Sequence, residues 1–127
     1  MTPSRASASV ASTPAGIPER AWKKCWQDVQ ACITEEEDTQ GLGDAQYECL
    51  RRHMLYACGA LANASAEVRP EVARKWGKGW DTSAFGASTR TETMAACRKV
   101  SDLERVNEVY ERLHARCAPS WAAFFRQ

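Results

Sequence analysis

The chain has 127 residues, with 17 Lys and Arg against 16 Asp and Glu and a formal net charge of +1. This length fits one domain, or one small domain with extensions, and a hydrophobic content of 44% excludes a disordered chain. The balanced charge argues against nucleic-acid binding, because such proteins usually carry a basic surplus. No apolar stretch approaches the roughly 20 residues that span a bilayer. The unusual features are six Cys and five Trp.

Residues 1–17 are rich in Ala, Ser, Thr and Pro, and Arg5 is their one charged residue. They predict a flexible tail. They lack both the apolar core of a secretory signal and the Arg-rich amphipathic pattern of a mitochondrial presequence. An even number of Cys in a small chain favours disulfides and therefore an oxidising compartment. Without a signal peptide, the compartment that we expect is the mitochondrial intermembrane space.

The first predicted helix begins at Pro18, which is well placed at a first helical position. Its apolar residues follow at steps of three and four and form one stripe: Trp22, Cys25, Trp26, Val29, Cys32 and Ile33. The acidic run at 35–38 predicts a solvated face or, as the alternative, a contact with a basic partner.

Gly41-Leu42-Gly43 predicts a turn, and Asp44 is a good N-cap for a second helix. The apolar stripe of that helix is Tyr47, Leu50, Met54, Ala57, Cys58 and Leu61. Gly59 and Asn63 mark its end. Residues 18–63 are therefore predicted to form an antiparallel helical hairpin with two cysteines on each arm.

Residues 64–127 are predicted to be an extended and helical C-terminal extension. A third helix is expected over 91–100, and Ser101-x-x-Glu104 is a capping box that opens a fourth. Pro119 is expected to end that helix. No segment shows strand alternation, so the predicted fold class is all-α: a disulfide-stapled antiparallel helical hairpin with a helical C-terminal extension and a flexible N-terminal tail.

The hairpin geometry favours nested disulfides, with Cys32 bonded to Cys49 near the turn and Cys25 bonded to Cys58 near the open end. One difficulty is the position of the two cysteines on the second arm. They are nine residues apart and lie on opposite faces of an ideal helix. Nested bonds therefore require either that this helix loosens near Cys58-Gly59 or that Cys49 precedes its first regular turn.

Cys97 and Cys117 are left as possible disulfide partners or buried thiols. In one continuous helix they would lie roughly 30 Å apart, so a bond between them needs a break in the chain. Either of them is also an alternative partner for Cys58. As buried thiols they would behave as small hydrophobic residues.

The sequence offers little for metal binding or catalysis. No Cys-x2-Cys pair exists, and the one local pairing of Cys with His is Cys49 with His53, four residues on. We expect His53 and His114 on outer helical faces. A phosphate-binding loop and a Cys-x-x-Cys redox pair are both missing from the sequence. We therefore predict no metal, no cofactor and no enzymatic activity.

The aromatic residues of the C-terminal half are candidates for contact with other protein subunits, because aromatic side chains are enriched at permanent interfaces. The alternative is that they fold back onto the hairpin. The candidates are Trp76, Trp80, Phe85, Trp121, Phe124 and Phe125.

Two short helices that each carry a cysteine pair, joined by a tight turn, resemble the coiled-coil-helix-coiled-coil-helix (CHCH) family of the mitochondrial intermembrane space. Members of that family usually carry two Cys-x9-Cys pairs and are oxidised on import. Here the spacings are Cys-x6-Cys and Cys-x8-Cys. The segments Cys25-Trp26-Gln27 and Trp76-x3-Trp80-Asp81 are similar to 6B-type subunits of cytochrome c oxidase.

The resemblance implies a structural accessory subunit of a respiratory-chain complex, either cytochrome c oxidase or complex I. Such a subunit would be peripheral to the inner membrane, on the intermembrane-space side, and held by contacts with other subunits. One alternative is a soluble assembly factor or copper chaperone of the same compartment and fold. Another is a secreted helical disulfide protein, since Asn63-Ala64-Ser65 is a glycosylation triplet.

Overall fold

The computed structural model describes residues 19–63 and 84–125. Within these ranges the chain forms four α-helices and one short 3-10 helix, without a strand, so the predicted all-α class is confirmed. The elements are α1 (Glu19–Thr34), the 3-10 helix (Glu37–Gly41), α2 (Asp44–Asn63), α3 (Ala84–Cys97) and α4 (Leu103–Phe125). The predicted tail lies outside the described residues.

The predicted hairpin is present, with α1 and α2 close to their expected bounds. All six residues of the predicted α1 stripe are buried. At the turn, the buried hydroxyl of Thr39 donates to the carbonyl oxygens of Ile33 (3.0 Å) and Glu36 (2.7 Å). Across the arms, Nε2 of Gln30 donates to the hydroxyl oxygen of Tyr47 at 2.9 Å. The Thr39 bonds hold the turn against the end of α1, and the bond between Gln30 and Tyr47 joins the two arms.

Helix α2 is the central element, since it contacts α1, α3 and α4. Five consecutive residues, 54–58, are almost fully buried on it. A helical segment that is buried on all sides lies inside a protein, and this holds for the C-terminal half of α2. The single stripe predicted for α2 was therefore too narrow, because the C-terminal helices cover its second face.

Helix α3 begins earlier than the predicted start at residue 91 and ends at Cys97. Its sequence is rich in Ala, Ser and Thr and has little apolar periodicity, which explains why its N-terminal half was missed. Two threonines on it are buried, and the hydroxyl of Thr93 donates to the carbonyl oxygen of Thr89 at 2.8 Å. Packing against α2 compensates for the modest helix propensity of this composition.

Helix α4 departs from the prediction at both ends. Its N-cap is Asp102, whose Oδ1 accepts from the backbone N–H of Arg105 at 3.3 Å, so the expected Ser101 capping box was wrong by one residue. Asp102 has a φ of 51°, a left-handed conformation that Asp tolerates. Pro119 does not end the helix, which continues to Phe125. The last turns remain helical because Trp121 and Phe125 are buried.

The hairpin and α4 share one hydrophobic core. Its largest fully buried side chains include Trp22, Ile33, Leu50, Leu113 and Trp121. This shared core joins the start of the described chain to its end. None of the described helices is long and apolar enough to cross a membrane.

Candidate functional site: two disulfide clamps and the groove beside them

Two disulfides tie the hairpin to the C-terminal helices. Cys32 on α1 is bonded to Cys117 on α4, with their Cα atoms 6.4 Å apart. Cys49 on α2 is bonded to Cys97 at the end of α3, with their Cα atoms 4.8 Å apart. The bonds bridge sequence separations of 85 and 48 residues. Each arm of the hairpin is thus clamped to a helix outside the hairpin.

This pairing corrects the expected nested bonds. Cys32 and Cys49 are both in disulfides, as expected, but not with each other. For Cys97 and Cys117 the sequence allowed either a disulfide or a buried thiol. In the structure Cys32 is bonded to Cys117, and Cys49 to Cys97. The reason is that α3 and α4 cover faces of the hairpin that its own arms do not, and those faces carry Cys32 and Cys49.

Cys25 and Cys58, the expected outer pair, are free and completely buried thiols. They are nevertheless neighbours, because the Cys25 thiol acts directly on the pKa of the Cys58 thiol. Burial is the main cause that raises the pKa of the Cys58 thiol well above its usual value, and the contact with Cys25 raises it further. A buried neutral thiol is a poor nucleophile, so burial lowers the reactivity of this pair.

The acidic run after α1 contacts basic residues of α4. Nη1 of Arg116 lies 3.0 Å from Oε2 of Glu36, and Arg112 forms an ion pair with Asp38. Nη2 of Arg116 also donates to the backbone carbonyl oxygen of Cys32 at 3.2 Å. The sequence offered two interpretations of the acidic run, a solvated face or a contact with a basic partner. The basic partner is present, and it is helix α4 of the same chain. Because α1 has no basic residue in its last turn, Arg116 supplies the positive charge that its negative end favours.

Both histidines are half-buried, and the expectation that they lie on outer faces was wrong. The ring of Tyr110 lies between them, with ring centroids 5.4 Å from His53 and 5.7 Å from His114. The ring of Trp121 lies 6.3 Å from that of His114. Burial lowers the pKa of His53, and it lowers the pKa of His114 to about 4. Both imidazoles are therefore neutral at pH 7.

An open groove of about 620 Å³ runs between α1 and α4 beside the Cys32–Cys117 bond. Charged side chains line it, among them Lys24, Asp28 and Glu35, together with the ring of Phe124. Phe124 is 40% exposed, and Nζ of Lys24 lies 4.9 Å from its ring centroid. The groove therefore combines one solvent-exposed aromatic ring with a charged rim.

The six aromatic interface candidates have different positions. Phe124 is exposed in the groove, whereas Trp121 and Phe125 are buried, so these two fold back onto the hairpin. Phe85 lies on α3, and its side chain is outside the described residues, as are Trp76 and Trp80. The sequence did not indicate the groove itself, whose two walls are α1 and α4. The groove exists only because these two helices pack against each other.

Comparisons of the chain with known protein families, with curated proteins and with solved structures give no match. The functional proposal therefore rests on the helices, the disulfides and the groove.

Proposed function

We propose that the chain is a non-catalytic accessory subunit of a mitochondrial respiratory-chain complex, cytochrome c oxidase or complex I, peripheral to the inner membrane on the intermembrane-space side. The observation that carries the proposal is the pair of interhelical disulfides in an all-helical fold. Disulfides of this kind persist in oxidising compartments. The twin cysteine pairs of the hairpin, which resemble the CHCH family, favour the intermembrane space among those compartments.

The two interhelical disulfides suit a subunit whose role is structural. Each bond joins segments far apart in sequence, and such bonds stabilise most because they remove the most freedom from the unfolded chain. The Arg116 contacts add a polar tie at the same end of α1. A rigid helical module loses little conformational freedom when it docks, which favours stable association.

The groove between α1 and α4 is the surface that we propose for docking. Phe124 would insert its ring into a partner subunit, and the charged residues around it would form the polar rim of the interface. Attachment through this surface makes the chain peripheral to the membrane, since protein contacts alone would hold it there.

The alternative, a soluble assembly factor or copper chaperone of the same fold, has weaker support. A chaperone must expose the thiolates that receive and release its metal. In this fold Cys25 and Cys58 are the two thiols outside the disulfides, and both are completely buried.

The proposal is tested by native purification of the tagged full chain from mitochondria, followed by identification of the proteins that migrate with it. We expect a respiratory-chain complex, and we expect Phe124→Ala to weaken the association. Met94→Ala is the matched control, because Met94 is similarly exposed at 45% but lies on α3. Recovery of the wild-type chain as a free monomer, or with a glycan on Asn63, would contradict the proposal.

A further inference from the structure

Three metal-ligating groups meet where α2 contacts α3. The sulfurs of Cys49 and Cys97 and a ring nitrogen of His53 all lie within 4.8 Å of one another. Cys49 and His53 are four residues apart on α2, so their side chains project from the same face of that helix. Cys97 is the last residue of α3 and approaches from the other side. Cys49 is buried, whereas His53 and Cys97 are half-buried.

A disulfide by itself needs no imidazole beside it. Two cysteine sulfurs and one histidine nitrogen, however, are a donor set that zinc prefers, with zinc–sulfur bonds of about 2.3 Å and zinc–nitrogen bonds of about 2.0 Å. Cys97, the third member of the cluster, is 48 positions from Cys49 in the sequence. The three groups therefore come together only through the tertiary structure.

We propose that reduction of the Cys49–Cys97 disulfide converts this cluster into a Zn²⁺ site whose ligands are Cys49, His53 and Cys97. A dithiol reductant delivers two electrons and two protons to the disulfide and itself becomes a disulfide, which leaves two thiols on the chain. Zn²⁺ then displaces both thiol protons to solvent and accepts a lone pair from the imidazole. The resulting centre has no net charge, which suits its half-buried position.

The geometry requires only a local adjustment. Tetrahedral coordination with bonds of this length places ligand atoms about 3.5 to 3.8 Å apart. The ring nitrogen of His53 lies within 4.8 Å of both sulfurs, so a small shift brings it to this spacing. The two sulfurs must move apart once their bond is broken. Because Cys97 ends α3, the movement falls at a helix terminus rather than within a helix.

Three protein ligands leave the fourth zinc position open. In proteins an open position is occupied by water or an incoming ligand, and it distinguishes exchangeable zinc from the closed four-ligand sites that only support a fold. The cluster is therefore a reversible thiol–metal switch, in which the oxidised chain is cross-linked and the reduced chain holds Zn²⁺. This inference does not depend on the proposed function.

The test uses the full chain with Cys32→Ala and Cys117→Ala, in which Cys49–Cys97 is the one disulfide that this structure would retain. The chain is reduced anaerobically with a dithiol, freed of the reductant, and titrated with Zn²⁺ against a chromophoric chelator. Co²⁺ in place of Zn²⁺ reports thiolate ligation through its charge-transfer absorption. We expect one metal ion for each reduced chain, two protons released for each ion bound, and no binding before reduction.

The histidines provide a matched pair of variants. His53→Gln should weaken Zn²⁺ binding at least about 100-fold, because even the loss of a group that merely supports a zinc ligand costs 10- to 100-fold. His114→Gln should leave the affinity unchanged. Adding Cys49→Ala and Cys97→Ala should abolish binding although Cys25 and Cys58 remain.

Three results would overturn the proposal. The first is a reduced chain that binds no Zn²⁺, whether it keeps its helical circular dichroism or unfolds and is not refolded by the metal. The second is retention of Zn²⁺ after Cys49 and Cys97 are both replaced. The third is equal affinity in the His53→Gln and His114→Gln variants.

Discussion

Arg116 donates a hydrogen bond to the backbone carbonyl of Cys32, and the disulfide partner of Cys32 is the very next residue, Cys117. The end of α1 is therefore held twice by neighbouring positions of α4, once covalently and once through a charged hydrogen bond. The second contact also satisfies a carbonyl that a helix C-terminus leaves without an intrahelical partner. The two ties together anchor this part of α4 to the end of α1.

Arg116→Gln removes both the bond to the Cys32 carbonyl and the ion pair with Glu36. Because Arg116 is about half-exposed, we expect a loss of about 1 kcal/mol in the free energy of unfolding, measured by urea denaturation. Arg98→Gln, at an exposed position just after α3, removes the same charge and should change stability by less than about half as much. Equal effects of the two substitutions would show that only net charge matters here.

Removal of either disulfide should cost stability, because each closes a long loop in the unfolded chain. The Cys49–Cys97 bond lies within the 85-residue loop of the Cys32–Cys117 bond and shortens that loop by 48 residues. In the chain-entropy relation, Cys32→Ala with Cys117→Ala and Cys49→Ala with Cys97→Ala should therefore each lose about 4 kcal/mol. Denaturation of both double variants under non-reducing conditions measures the difference from the wild type.

Cys25→Ala with Cys58→Ala is the control for this experiment. It removes two buried sulfurs but no cross-link, so it should cost clearly less than either disulfide. A loss from this double variant as large as that from a disulfide variant would contradict the assignment of these residues as free thiols.

Pro119→Ala should stabilise the chain. Pro119 lies inside α4, where it cannot donate to the carbonyl four residues earlier and costs up to about 3 kcal/mol relative to Ala. Since the helix already continues through this position, we expect a gain of about 1 to 3 kcal/mol in a thermal or urea melt. Ser120→Ala, at the next exposed position, should change stability little. A destabilised Pro119→Ala variant would mean that the proline fits a bend on which the last turns depend.

His114 should make the fold sensitive to acid. Its pKa of about 4 in the folded chain lies below the ordinary value of 6.5, so the folded state favours the neutral ring. The associated stability is complete above about pH 6.5 and is lost as the pH falls toward 4. His114→Gln removes this proton uptake.

The measurement is the loss of unfolding free energy between pH 7 and pH 4.5 in both chains. Carboxylates titrate equally in the two, so the difference between them isolates His114. Allowing for the partial exposure of the ring, we expect the loss in the variant to be smaller by about 1 kcal/mol. Identical losses in the two chains would contradict a buried neutral His114.

The sequence was sufficient for the elements whose apolar residues recur at helical spacing. The six residues of the α1 stripe are all buried, and α2 begins at Asp44, one residue before the start that Asp44 as its N-cap would give. The sequence was not sufficient for α3, whose small residues carry no periodic signal, or for the passage of α4 through Pro119. In both cases tertiary packing outweighs local preference.

The disulfide pairing could not be predicted from the hairpin alone, because it depends on which helix covers which face of α1 and α2. Some signals were nevertheless present. Arg112 and Arg116 are one turn apart on α4 and match Asp38 and Glu36 in the acidic run. The i, i+4 spacing of Cys49 and His53 was visible, whereas the third member of that cluster comes from a separate helix.

The central claim, that two disulfides clamp the hairpin to the C-terminal helices, is tested most directly by disulfide mapping with mass spectrometry. Free thiols are first alkylated in denaturant without reduction. Trypsin alone leaves three cysteines in the segment between Lys24 and Arg51, so proteases that also cleave at Asp28 and at Glu37 are needed. With cleavage at Arg52 as well, the first four cysteines lie on four separate peptides.

We predict two cross-linked peptide pairs, Cys32 with Cys117 and Cys49 with Cys97, with the alkylating group on the other two cysteines. A cross-link between α1 and α2, which would restore the nested hairpin pattern, would contradict the account.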